Sequence, residues 1–202
     1  MELSAQQMDQ LKELGNIGAS HAATSLSRML MSPIDMTVPE VMLIDIADIA
    51  THIRDEIAAI VIFEIQGEIS PGGYVGLYMP RDSAIRLTNT MLGSTDMDRE
   101  FNEMDESALL EVGNIMISQF LDATATLLDI IMIPSPPDIA IDMAHAVFET
   151  IVSQVASDIN NVILFRTDLR STEHEIRGAI ILMPDCTTLN EILMLLERLM
   201  QG

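Results

Sequence analysis

The sequence predicts an α+β fold built twice. Two α-β-α-β-β-α halves form a mostly antiparallel sheet covered by helices, related by a pseudo-two-fold axis. Three observations predict it. The order of helical and strand-like runs repeats along the chain, and a shift of 98 residues brings the repeats into register. The strand-like runs are joined by short connections, which suit antiparallel hairpins. Finally, 202 residues that are 49% apolar supply a sizeable core, yet each half offers only three strands. One domain over 1–202, made of homologous halves 1–98 and 99–202, is therefore expected rather than two separable units.

The elements follow in order. Residues 1–30 read as a long helix, with Ser4 and Gln7 in capping-box spacing. An extended segment covers 36–45 and a short helix 45–54. "IAAIVIFEIQGEI" (57–69) and "GYVGLYMP" (73–80) read as strands, with a turn at "SPGG", and a helix follows Pro80 over 81–92. The loop 93–104 is the joint between halves. The second half repeats the order: helix 105–130, extended segment 137–143, helix 144–157, strands 160–168 and 175–183, and a last helix from Pro184 to about residue 200.

The repeat is strongest on the polar face of the long helices. Asp9 meets Ser107, Glu13 meets Glu111, Asn16 meets Asn114, Ser20 meets Ser118 and Pro39 meets Pro137. The shared pattern is Asp/Ser-x3-Glu-x2-Asn-x22-Pro. At about 100° per residue, positions 9, 13, 16 and 20 form one narrow stripe. Leu11, Leu14, Gly18, Ala22 and Met29 fall opposite, as do Leu109, Val112, Met116, Phe120 and Leu127 in the second helix. Common packing would preserve the apolar stripe, but the polar stripe is the part retained in identity. Asn16 and Asn114 sit mid-helix, where Asn is a poor helix former. Gly15 and Gly113 adjoin the stripe; they either admit a partner's backbone or allow close packing within the fold.

An Asn amide is neither acid nor base. It offers an acceptor oxygen and two N–H donors in a fixed plane, which suits it to holding a water. A Glu pairs with a partner's cation. The chain carries no nucleophile elbow, no phosphate loop and no His or Cys at metal-ligand spacing. His21, His52, His145 and His174 stand apart, and the lone Cys186 excludes an internal disulfide and suits a reducing compartment. A net charge of -21 argues against nucleic acid or an anionic membrane surface and favours a basic protein patch. With no leader-like start and no apolar run long enough to span a bilayer, a cytoplasmic location without membrane insertion is expected. The sixteen Met read as core filler in a chain with no Trp, with Met29, Met31, Met36 and Met42 as an adaptable surface.

Both copies of this pattern resemble the signature of the CheC, CheX and FliY phosphatases of chemotaxis, and the likeness covers essentially the whole chain. Two full copies in a chain of this length point to the CheC branch: CheX keeps one active copy, and FliY carries further flagellar segments. The resemblance implies hydrolysis of the aspartyl phosphate on the response regulator CheY. Glu13 or Glu111 would bind the regulator's active-site lysine, and Asn16 or Asn114 would orient the attacking water. The Mg2+ would be the regulator's own, so the chain itself is expected to need no cofactor or metal. The family also implies a second partner, the receptor deamidase CheD, docking on the helix near 144–157. The alternative function is a non-catalytic acidic adaptor that binds CheD or the regulator.

Overall fold

A computed structural model of the chain describes residues 3–68, 73–155, 160–171, 175–184 and 186–199. Helix α1 (Ala5–Leu30) opens on the expected box: the Ser4 side chain accepts from the Gln7 N–H, and the Gln7 side chain accepts from the Ser4 N–H. Strand β1 (Ile34–Asp45) follows. Next come a 3-10 turn (Ile46–Asp48) and a four-residue helix α2 (Ile49–His52), where a helix over 45–54 was expected. The Asp45 side chain caps the Ala47 N–H and tightens this segment into the turn. Strands β2 (Ile57–Gly67) and β3 (Tyr74–Pro80) and helix α3 (Arg81–Leu92) complete the first half. The second half holds α4 (Glu103–Leu128), β4 (Met132–Pro134), β5 (Asp138–Met143), α5 (Ala144–Val155), β6 (Asn161–Ser171), β7 (Glu175–Met183) and α6 (Cys186–Leu199). The turn expected at Ser70-Pro71-Gly72 and the end of the helix expected at 156–157 lie outside the described residues.

The seven strands form one antiparallel sheet in the order β1-β6-β7-β3-β2, with β5 and β4 following one another along the outer edge of β2. The halves are interleaved. Strands β3 and β7, one from each half, pair at the centre. β1 lies on β6 of the other half, and β5 lies on β2 of the other half. Strand β4 was not expected. It is the counterpart of the start of β1, separated from β5 because Pro136 and Pro137 both lack the N–H a ladder requires. In β1 the single Pro39 is absorbed by a bulge between Thr37 and Glu40 on an edge strand.

Both sheet faces are covered. In β2, Ala59, Val61, Phe63 and Ile65 join the larger core beneath α1, α3, α4 and α6, whereas Ala58 and Ile60 join a smaller core under α2 and α5. That explains why β2 reads as a continuous apolar run rather than an alternating one. The joint at 93–104 is pinned. The Arg81 guanidinium donates to the Met97 and Arg99 carbonyls at 3.2 and 2.6 Å. Arg99 grips Asp105 with two bonds of 2.5 and 2.6 Å and also donates to Asn89 and Thr88. Asp105 is wholly buried and forms with Asn102 the capping box that starts α4. Burial pushes the Asp105 carboxyl up, but bonds from Arg99, Thr88 and the Asn102 backbone outweigh it and hold the group below its ordinary range. The bond to Asp105, with the charges of Asp105 and Asp96 adding to it, raises Arg99 further against the opposing effect of burial.

Candidate functional site

Helices α1 and α4 pack against each other over the larger core. Leu11, Leu14, Gly18 and Ala22 of α1 are buried, as are Leu109, Val112, Met116 and Phe120 of α4. These are the apolar stripes expected of the helices, except that their last members, Met29 and Leu127, are half-buried. On the opposite side Asp9, Glu13 and Ser20 are exposed and Asn16 is half-buried. In α4, Ser107, Glu111 and Asn114 are exposed and Ser118 is half-buried. Each Glu–Asn pair spans three residues on one helix face, and no bond links the pair on α1 to the pair on α4 among the described residues. His21 is exposed beside the first stripe. Cys186 opens α6, but its side chain lies outside what the structure describes.

The adjoining glycines are explained by packing within the fold. A Cβ on Gly15 would lie 2.7 Å from the Phe165 ring, and one on Gly113 would lie 2.8 Å from Val61 Cγ1. Each glycine thus lets its helix sit low on the sheet, at β6 and β2 respectively. Gly18 does the same between helices: its Cβ would lie 2.5 Å from the Phe120 ring. Of the methionines expected at an adaptable surface, Met31 is exposed, Met29 and Met42 are half-buried and Met36 is in the core.

The two pairs are not identical in setting. The Asn16 Oδ1 accepts a hydrogen bond of 3.2 Å from the Val38 N–H in the bulge of β1. Sequence reading missed this contact, although Pro39 marked the place. Asn114, Glu13 and Glu111 make no hydrogen bond or ion pair within the described residues. Two outward glutamates without internal partners can accept a foreign cation, and two amides beside them can hold a water.

The three cavities described are lined by residues outside both stripes. A cavity of 270 Å³ bounded by Arg54, Glu56, Tyr78, Arg166 and Arg177 lies on the other face of the sheet. There burial, with the Glu56 carboxylate adding to it, pushes the Tyr78 hydroxyl up to about 12. An exposed polar helix face suits a macromolecule that brings its own cleft better than a small substrate seeking one. Among the described residues no helix is long and apolar enough to cross a membrane, and no group of three or more His, Cys, Asp or Glu is placed to hold a metal ion.

Known proteins share the sequence pattern and the fold. The profile of the CheC-like family matches residues 7–43 and 104–141, which carry both copies of the stripe. A Bacillus subtilis protein described as the CheY-P phosphatase CheC is 29% identical over 190 residues, covering 91% of this chain and 90% of that one. Among solved structures, FliY of Thermotoga maritima superposes with a TM-score of 0.81 at 20% identity, covering 98% of this chain and 99% of the other. A chain of the CheX-CheY-BeF3-Mg2+ complex of Borrelia burgdorferi gives 0.53 at 17% identity, over 84% of this chain and 96% of that one. These two likenesses speak for the fold. With an α+β architecture like that of these solved structures and the family's pattern matched in each half, the chain is similar to the CheC-like family.

Proposed function

We propose that the chain is a phosphatase acting on the aspartyl phosphate of phosphorylated CheY, and that each long helix carries one site. The observation that carries this reading is the pair of outward Glu–Asn steps at one spacing on twin helices, with both glutamates unpartnered among the described residues. Glu13 or Glu111 anchors the lysine of the regulator's active site through a charge-assisted bond. Asn16 or Asn114 then enters that site and holds a water in line with the scissile P–O bond. The water oxygen bonds to phosphorus as the bond to the aspartyl oxygen breaks. The aspartate leaves as a carboxylate, and the water's protons pass to phosphate and solvent. A single glutamate per stripe is no cage for Mg2+, so the metal that neutralises the phosphoryl charge is the one the regulator binds.

A second partner fits α5. Ala144 and Phe148 face the core, which leaves His145, Ala146, Glu149, Thr150 and Ser153 on the outer side. That face is proposed to dock CheD, the deamidase the family resemblance implies. The adaptor reading, in which the acidic surface docks partners without hydrolysis, leaves Asn114 without a purpose, since only Asn16 also serves the fold by accepting the Val38 N–H. Phosphate release from phosphorylated CheY separates the readings. Asn16→Ala and Asn114→Ala should each remove part of the acceleration while binding persists; an adaptor would show no acceleration to remove.

A further inference from the structure

One difference between the two sites is a single backbone hydrogen. Asn16 and Asn114 occupy equivalent places in the repeat, and the residues 22 positions further on are Val38 and Pro136. Val38 has an N–H and Pro136 has none. In the first site the Val38 N–H is released from the ladder because Thr37 pairs with Asp168 and Glu40 with Arg166, leaving Val38 and Pro39 opposite one residue. It donates instead to Asn16 Oδ1. Val38 is 1% exposed, and a Cβ on Gly15 would lie 3.4 Å from its Cγ1, so strand and helix meet closely here. A backbone N–H requires an acceptor. The Asn16 amide is therefore held in one flip, with Oδ1 toward the strand and the Nδ2 hydrogens turned away from it. In the second site neither Pro136 nor Pro137 has a hydrogen to give, and the strand is broken there into β4 and β5.

We propose that the Val38 N–H is a positioning group that clamps the Asn16 amide, so that the first site is preorganised to hold its water and the second site is not. This rests on the phosphatase reading. It assigns a purpose to the proline of the repeat: Pro39 sustains the bulge that frees the N–H. A fixed amide needs no reorganisation when the water is taken up, so the clamp acts on turnover rather than on docking.

Two measurements test it. Hydrogen exchange at the Val38 amide should quicken several-fold in Asn16→Ala, a change that requires no catalysis. In the Asn114→Ala background, replacing the Val38 amide by an ester removes the N–H and keeps the side chain; kcat should fall with KM unchanged. The converse variant, Pro136→Ala in the Asn16→Ala background, installs an N–H at an exposed position and should raise the kcat of the second site. Unchanged exchange at Val38, or an ester variant with unaltered kcat, overturns the proposal. If the wild type hydrolyses no acyl phosphate, the phosphatase reading fails by itself, and the exchange result alone decides the clamp.

Discussion

Glu13 and Asn16 stand one helical turn apart, as do Glu111 and Asn114, and the proposed roles divide along that turn. On that proposal the glutamate would hold the partner in ground state and transition state alike, whereas the amide would act on the water. Losses should therefore appear in different constants. Glu111→Gln in the Asn16→Ala background is expected to raise KM by roughly tenfold or more with a smaller change in kcat, read from initial rates of hydrolysis. The Glu and Asn positions were legible because they recur at one spacing. The Val38 contact was not, because a backbone donor leaves no mark in the side-chain sequence; only its missing counterpart, Pro136, is written there. Asp105 was equally hidden, since an acidic residue beside a helix start reads as an exposed cap. Asp105→Asn should cost about 3 kcal/mol by leaving Arg99 near a neutral amide, measured as a lower urea midpoint. The folded Asp105 carboxyl lies below its unfolded value. Its contribution is therefore present above about pH 4 and lost as pH falls through the folded pKa. In Asp105→Asn that part of the acid sensitivity should disappear.

At the level of elements, the long helices were legible from their opposed stripes, and β6 and β7 from their place in the repeated order of elements. The splitting of β4 from β5 was not foreseen. A pair of prolines removes two donors at once, whereas the single Pro39 costs one N–H at an edge and is met by a bulge. Helix α2 came out shorter than expected because the Asp45 cap commits the chain to a 3-10 turn first. The contact between α1 and α4 depends on Gly18, which places the Phe120 ring against the α1 backbone. Phe120 in turn meets Phe165 edge-on with ring centroids 5.3 Å apart, so one glycine sets the height of a small aromatic stack. Gly18→Val is expected to destabilise by about 2 kcal/mol through overpacking, read from denaturant unfolding. A neutral result would show that α1 and α4 shift apart freely.

For the whole molecule the decisive feature is the interleaving. Each half lays its extended segment on the hairpin of the other, so the pseudo-symmetric pairs β1·β6 and β5·β2 tie 1–98 to 99–202 through backbone hydrogen bonds. The doubled order of elements was readable from the repeat; which half each strand would join was not, because strand pairing between halves leaves the same local pattern as pairing within them. Charge acts at this scale too. Thirty-one acidic residues against ten basic ones repel one another in the compact state. Raising salt from about 0.1 to 1 M shortens the screening length from about 10 to 3 Å, so Tm should rise; an unchanged Tm would mean that the acidic surface is spread too thinly to strain the fold. The central claim is that twin helices carry two water-holding sites for an acyl phosphate. Phosphate release from phosphorylated CheY, followed with the wild type, Asn16→Ala, Asn114→Ala and the double variant, tests it most directly. The expected result is partial loss in each single variant and no acceleration in the double variant; a double variant as active as the wild type would contradict it.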